Sequence, residues 1–168
     1  MTTRITIRLL LFLFIILSLG SCKKDSEVVK DFNKITFTDG GLAGFTYTFP
    51  INKGFYAQAT QTTKSILLIF GDDDQSAGTM PGTGECYFYY SGEASIDFLS
   101  PEGQIMRFTF DREGGSTFTI DAKEATITFD EVTDTKIRGK ISGEFHNSAT
   151  TISTFASMDF SMELAPVK

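Results

Sequence analysis

From about Phe32 to the C-terminus, apolar and polar residues alternate along most of the chain, with threonine, phenylalanine, isoleucine and tyrosine enriched. A period of two is the pattern of a β-strand that buries one face, and turns at intervals of about 8–12 residues are typical of sandwiches and barrels. No stretch of this region has the period of an amphipathic helix. The pattern predicts strands over 34–38, 43–49, 55–60, 64–70, 86–91, 94–99, 104–111, 116–121, 124–130, 136–145 and 151–164.

The last two predicted strands alternate most clearly. In the segment KIRGKISGEF, one face is apolar or glycine and the other face is polar. The first face carries Ile137, Gly139, Ile141, Gly143 and Phe145. The segment 151–164 alternates in the same way, with apolar residues at most even positions, and the polar residues 146–150 lie between the two. The two strands therefore predict one long antiparallel hairpin, with His146 exposed in its turn.

The remaining strands fit a single all-β domain. Short connections, such as 100–103 and 111–115, predict that strands adjacent in sequence pair as an antiparallel meander. The segment SILLIF at 65–70 is apolar on both faces, which predicts a central strand covered on both sides. The meander is expected to form a β-barrel-like or a β-sandwich domain. The core-face glycines Gly139 and Gly143 favour the barrel, because glycine relieves crowding on the core face or permits sharp coiling of a strand.

The N-terminal segment has a different pattern. Arg4 and Arg8 precede an unbroken apolar run over 9–17, and small residues then lead to Cys22. This order is typical of a secretory signal peptide that is removed from the mature protein. The run is much shorter than the ~20 apolar residues that a membrane-spanning helix requires. The segment is therefore expected to direct export and to take no part in the fold.

The residues immediately before Cys22 identify the type of signal. Leu19, Gly20, Ser21 and Cys22 resemble a bacterial lipobox, in which signal peptidase II cleaves before the cysteine. The resemblance implies that Cys22 carries two or three acyl chains such as palmitate. More than one chain gives stable anchoring, since each buried methylene contributes ~0.8 kcal/mol. The alternative is an ordinary secretory signal that happens to contain a cysteine. The expected organisation is a signal peptide over 1–21, a lipidated tether over 22–32 and an all-β domain over 33–168.

The late part of the chain adds to this resemblance. The pattern I-x-G-x-I-S-G-x-F, followed by a second alternating strand, resembles many uncharacterised β-rich lipoproteins of Bacteroidetes. The resemblance covers the lipobox and about the last sixty residues. It implies a location in the cell envelope and a β-rich fold, and it implies no reaction. Lys23 after the cysteine is compatible with sorting to the outer membrane. The sequence does not decide whether the protein faces the periplasm or the outer surface.

Charge excludes one class of partner. Removal of 1–21 takes away Arg4 and Arg8 and leaves 13 basic residues against 21 acidic ones, a formal charge of −8. A domain this acidic is repelled by nucleic-acid phosphates and by anionic lipid headgroups. Nucleic-acid binding is therefore not expected, and the expected membrane contact is the lipid on Cys22.

The sequence contains no recognisable enzyme motif. It lacks the nucleophile-elbow, zinc-protease, phosphate-loop and C-x-x-C patterns, and its only histidine is His146. Cys86 has no partner once Cys22 is lipidated, so it is expected to be a buried small hydrophobe and not a reactive thiol. Hydrolysis by paired carboxylates stays open but nothing selects a pair. We expect no enzyme activity and no cofactor.

Two segments are weak candidates for binding. The segment 71–85 is the longest without strand character, and Asp72, Asp73 and Asp74 could offer oxygen ligands to Ca²⁺. It does not match the EF-hand spacing, and a solvated acidic loop is the alternative. In CYFYY, Tyr87 and Tyr89 are expected side by side on the outer face. There they could stack on a sugar or a partner protein, or simply pack across strands.

These observations predict a lipid-anchored cell-envelope protein with a non-catalytic binding or scaffolding domain. A protein or glycan partner fits this reading, but the sequence does not identify it. The alternative is a lipocalin-like barrel that carries a small hydrophobic ligand in its interior. An envelope hydrolase is the third hypothesis.

Overall fold

The computed structural model describes residues 31–71, 82–99, 104–112, 116–147 and 149–167, and this part of the chain consists of β-strands and their connections, without an α-helix. Its ten strands are β1 (Lys34–Phe37), β2 (Thr46–Thr48), β3 (Asn52–Gln58), β4 (Lys64–Phe70), β5 (Thr83–Tyr90), β6 (Ser95–Leu99), β7 (Ile105–Arg112), β8 (Ser116–Val132), β9 (Lys136–His146) and β10 (Ser153–Pro166). A short 3-10 turn at Gly40–Leu42 lies between β1 and β2. Over these ranges, the chain forms no helix with the length and apolar character needed to cross a membrane.

Seven of the strands close into a barrel. The ring runs β3, β4, β5, β7, β8, β9 and β10, and β10 returns to pair with β3. The fold is therefore all-β, as the sequence predicts. Of the two predicted architectures, it is the barrel and not the sandwich. β1 pairs with the first half of β10 and carries β2 at its edge, while β6 pairs with β8 outside the ring.

The meander prediction is only partly correct. Neighbours in sequence pair from β3 to β5 and again from β7 to β10, as expected. However, β5 pairs with β7 and not with β6. The ring also closes through a parallel pair, in which Leu164 of β10 lies opposite Gly54 of β3. A parallel contact cannot arise from a hairpin, so alternation and short turns could not predict it.

β8 is one strand where the sequence predicts two. The strands predicted over 116–121 and 124–130 join into Ser116–Val132, with register shifts between Ala122 and Glu124 and between Phe129 and Glu131. Such bulges bend a strand without ending it. The bend lets one edge of β8 pair first with β7 and then with β6, while β9 follows the other edge.

Glycines on the inner face of β9 allow this close coiling. A Cβ atom at Gly143 would collide with the Cα of Ala125, and one at Gly139 would collide with the carbonyl oxygen of Thr128. Gly143 also has a φ of 152°, a conformation that side chains rarely adopt. The prediction that these two glycines relieve crowding on the core face is confirmed.

The long hairpin is also confirmed. β9 and β10 pair antiparallel from Lys136 opposite Glu163 to His146 opposite Ser153. The prediction for His146 is wrong, because it is the last residue of β9 and its side chain is half-buried. The turn is organised instead by the buried Asn147, whose Oδ1 accepts hydrogen bonds from the N–H groups of Ala149 and Thr150 and whose Nδ2 donates to the carbonyl of Thr119.

Two further expectations concern β4 and β5. Ile66, Leu68 and Phe70 of β4 are fully buried, but Leu67 and Ile69 are half-buried on the outside of the barrel. The prediction that this strand is covered on both sides is therefore wrong. β5 begins at Thr83, which is earlier than the predicted 86–91 and shortens the segment without strand character.

Candidate functional site

The interior of the barrel is filled with aromatic and aliphatic side chains. Phe70 and Phe108 have ring centroids 5.8 Å apart, Phe108 and Phe145 5.7 Å, and Phe70 and Phe160 6.3 Å. These are the usual separations of packed aromatic pairs. Cys86 is completely buried in this core, as predicted, and burial raises the pKa of its thiol.

Charged groups do not enter this interior. Among the residues whose side chains the structure describes, the buried polar ones are Asn147 and Thr154, and no carboxylate is buried. Within the described ranges, no three histidine, cysteine or acidic side chains come together to hold a metal ion. Any binding site among these residues must therefore be sought on the outer surface.

Tyr87 and Tyr89 lie side by side on the outer face of β5. Their ring centroids are 5.6 Å apart with the rings inclined at 73°, and Tyr89 is 49% exposed. A side-chain hydrogen bond with Tyr89 raises the pKa of Tyr87, with a smaller contribution from desolvation. The placement predicted from the sequence is thus correct, while its role in binding stays a prediction.

The two tyrosines belong to a wider apolar surface. Phe55 lies opposite Leu67, Leu67 opposite Tyr87, and Tyr87 opposite Ile105, so one side chain from each of four neighbouring strands forms a row. We call this row, together with Tyr89, the outer apolar stripe. Ile105 is 44% exposed and the first three members of the row are half-buried. Sequence reasoning missed the stripe because its members come from four separate strands whose register the sequence does not show.

Ion pairs border the stripe on one side. Glu85, Arg107 and Asp121 lie opposite one another on β5, β7 and β8. Arg107 is 2.7 Å from the Asp121 carboxylate and 3.9 Å from that of Glu85. The hydrogen bond to Asp121 raises the pKa of Arg107, so these charges partly neutralise one another beside the apolar row.

A groove with different chemistry lies over β8, β9 and β10. It has a volume of about 550 Å³, and Phe155, 42% exposed, projects beside it. The carboxylates of Asp39, Glu124 and Glu144 line it together with hydroxyl groups of Ser142 and Thr126. We call this feature the Phe155 groove.

The Phe155 groove forms where β8 is bulged. Glu124 and Glu144 lie opposite each other next to the register shift, and Gly143 allows the strands to approach there. Lys123 donates a hydrogen bond of 2.9 Å to Glu144 and thereby holds the pKa of that carboxyl below its usual range. The groove offers mostly hydrogen-bond acceptors beside one aromatic ring. One feature of the sequence, the glycine at 143 on a core face, indicated that β9 lies close to a neighbouring strand. It did not indicate that acidic residues line the groove.

A second depression lies between β1 and β3, along the edge of β10. It has a volume of about 870 Å³ and is lined in part by Asn33, Asn52 and Ala165. The Asn33 side chain both donates to the carbonyl oxygen and accepts from the N–H of Ser161, at 3.1 Å each. Asn33 thus continues the pairing of β1 and brings the start of the described chain next to β3.

The other predicted site residues lie outside the described residues. This applies to the lipidation site Cys22 and to the candidate calcium ligands Asp72, Asp73 and Asp74. The Nδ1 atom of His146 is buried and has no hydrogen-bond partner among the described residues. The position of His146 does not support a general-base role, because none of the described hydrogen bonds joins it to a serine or cysteine nucleophile.

Comparison with known proteins adds no assignment. The sequence matches no family model, and neither a curated protein nor a solved structure shows significant similarity to it.

Proposed function

We propose that the protein is a lipid-anchored protein of the cell envelope, held at the outer membrane by acyl chains on Cys22, and that its barrel is a non-catalytic binding domain. The anchor is supported by the apolar signal over 9–17 and by the lipobox that ends at Cys22. The acidic composition argues against a nucleic-acid partner. The proposal requires no cofactor.

One observation carries the binding function: the inside of the barrel is packed, so a ligand has to bind outside. The fully buried rings of Phe49, Phe70 and Phe108 pack against one another with centroids 5.6 to 5.8 Å apart. In the part of the chain that the structure describes, the Phe155 groove is an external concavity that combines an exposed ring with several polar groups, as ligand sites usually do.

The carboxylates and the exposed ring of the Phe155 groove indicate which class of ligand it would bind. Its carboxylates accept hydrogen bonds and carry negative charge, so they suit hydroxyl donors or cationic side chains. The exposed ring of Phe155 suits the apolar face of a sugar or an aliphatic stem. A glycan chain or a basic segment of a partner protein therefore fits this groove best.

The lipocalin-like alternative is supported by the closed barrel alone. In that reading a small hydrophobic ligand would occupy the interior, which the packed rings disfavour. Titration with an environment-sensitive apolar dye tests it, because saturable binding with displacement by fatty acid would favour the alternative over the external groove.

The anchor is tested by cell fractionation. The unaltered protein is expected in the membrane fraction and the Cys22→Ser variant in the soluble fraction, because loss of the thiol removes the acyl chains. Recovery of the Cys22→Ser variant with membranes would contradict the proposal.

The groove is tested by affinity capture from envelope extract. The Phe155→Ala and Glu124→Gln variants are expected to recover at least tenfold less of the partner than the unaltered protein. Ile51→Ala is the matched control, since Ile51 is 40% exposed but lies just before β3 and does not line the groove. Recovery by Phe155→Ala equal to that by Ile51→Ala and by the unaltered protein would rule out the groove as the binding site.

A further inference from the structure

The outside of the barrel carries surfaces of different chemistry. The outward residues of β9 are all charged or polar: Lys136, Arg138, Lys140, Ser142 and Glu144. The outer apolar stripe on β3, β4, β5 and β7 instead presents a row with no charge. Contiguous exposed apolar surface of this kind marks a contact with another protein or with a membrane.

We propose that the outer apolar stripe rests on the lipid surface to which Cys22 anchors the chain. This inference builds on the proposed anchor and adds an orientation for the barrel. The stripe contacts the interfacial region of the bilayer, and the Phe155 groove faces water.

The length of the tether supports this occupant. Asp31 is the first described residue and lies nine residues after Cys22, and nine residues extend to at most about 32 Å. Asn33 is fixed on Ser161 of β10, whose later residue Ala165 lies opposite Phe55 at the end of the stripe. From Ala165 to Ile105 the row crosses four strand spacings, roughly 19 Å. The anchored chain can therefore bring every member of the stripe to the membrane.

The size of the stripe argues against a second copy of the chain. The stripe has five side chains, of which only Tyr89 and Ile105 are more than two-fifths exposed, whereas a stable protein interface uses about 20–30 residues on each side. An anchored domain does not need such a large contact area. The tether keeps the stripe near the membrane at an effective concentration in the millimolar range, so that the contact is in effect intramolecular. A weak apolar contact is sufficient for an anchored domain.

The chemistry of the stripe suits the bilayer interface. Tyrosine has an apolar ring and a polar hydroxyl, and it is enriched where hydrocarbon meets water. Tyr87 and Tyr89 supply two such groups, and Arg107 on the bordering row is paired with Asp121. The Phe155 groove lies beyond the Ile105 end of the stripe, because the pairing continues from β7 across β8 to Glu144 of β9 and Phe155 of β10. Phe155 is thus three strand spacings, roughly 14 Å, from Ile105 and farther from the other members of the stripe.

Tryptophan quenching tests the orientation directly, because the sequence contains no tryptophan. Tyr89→Trp and Ile105→Trp place single reporters in the stripe, and Phe155→Trp is a control of similar exposure in the groove. Each lipidated variant is reconstituted into phosphatidylcholine vesicles with and without bromine on the acyl chains. The two stripe reporters are expected to be quenched at least twofold more than the reporter at 155. A cooperative unfolding transition in each variant establishes that it is folded, and the two stripe positions give independent readings.

The outcomes separate this inference from the anchor. Variants that float with vesicles but show equal quenching at 89 and 155 would overturn the orientation and leave the anchor intact. Failure of the lipidated protein to float would overturn both. A blue shift of the tryptophan at 89 in unlipidated Cys22→Ser protein without vesicles, increasing with protein concentration, would identify a second copy as the occupant and overturn the lipid contact.

Discussion

At the scale of single residues, the two buried polar side chains among the described residues, Asn147 and Thr154, both make hydrogen bonds. Asn147 is buried and uses both ends of its amide, to Thr119 on one side and to Ala149 and Thr150 on the other. A buried polar group is stable only when such partners satisfy it. The sequence showed a polar stretch after β9 but not that one of its residues points inward, since a turn pattern does not specify which side chain closes it.

Asn147→Ala is expected to destabilise the protein by about 1–3 kcal/mol, because the substitution removes the side-chain partner of the Thr119 carbonyl and of the Ala149 N–H. It also leaves the Thr150 N–H with only its longer bond, 3.3 Å, to the Asn147 carbonyl. Urea unfolding measures the change. Thr150→Val is the control, because it removes only the hydroxyl bond to Asn147 and should cost about 1 kcal/mol or less. An Asn147→Ala protein as stable as the control would contradict the role of the amide.

Glu144 is expected to make the stability of the protein depend on pH. The hydrogen bond from Lys123 holds the pKa of Glu144 below its usual range, so folding favours the carboxylate. The resulting stability is present above the unfolded pKa of the carboxyl and is lost as the pH falls through the lowered folded value. In Lys123→Met, carboxyl NMR is expected to show the pKa of Glu144 moving upward. A titration curve identical to that of the unaltered protein would assign the shift to another cause.

At the scale of elements, alternation predicted most strands because each strand of the barrel buries one face. It predicted the inward faces of β7, β9 and β10, whose apolar residues at alternate positions are buried. It did not predict the continuity of β8 through its bulges, because a bulge shifts the alternation and imitates a turn. It also did not predict the half-exposed outer face of β4, since apolar residues on both faces usually mean burial on both.

Gly143→Val is the sharpest test of the β8–β9 contact. A side chain at this position collides with the backbone of Ala125 and must adopt an unfavourable φ. A loss of more than about 2 kcal/mol of unfolding free energy is expected from the two effects together. Ser142→Val, one residue earlier and pointing outward, should change stability by no more than about 0.5 kcal/mol. Similar stabilities for the two variants would show that the close approach at Gly143 is not required.

At the scale of the whole molecule, the two surfaces that we propose for binding depend on contacts between distant parts of the sequence. The parallel contact of β10 with β3 closes the ring, and the register across four strands assembles the outer apolar stripe. The Phe155 groove joins acids from the segment after β1, from β8 and from β9. Local patterns contain no information on such pairings, so the sequence located Tyr87 and Tyr89 but neither surface as a whole.

The account of the whole molecule combines an anchored N-terminus with a barrel that binds on its outside. We propose that the packed aromatic residues stabilise the barrel, that the outer apolar stripe contacts the lipid and that the Phe155 groove binds a ligand. All of these roles depend on the chemical state of Cys22, because without acyl chains neither the location nor the orientation of the barrel follows.

Mass spectrometry of the protein purified from membranes tests that state most directly. The account predicts a mature chain whose first residue is Cys22, with the mass of diacylglycerol on its sulfur and no residues of 1–21. A mature chain that begins elsewhere, or one in which the thiol of Cys22 is free, would contradict the account.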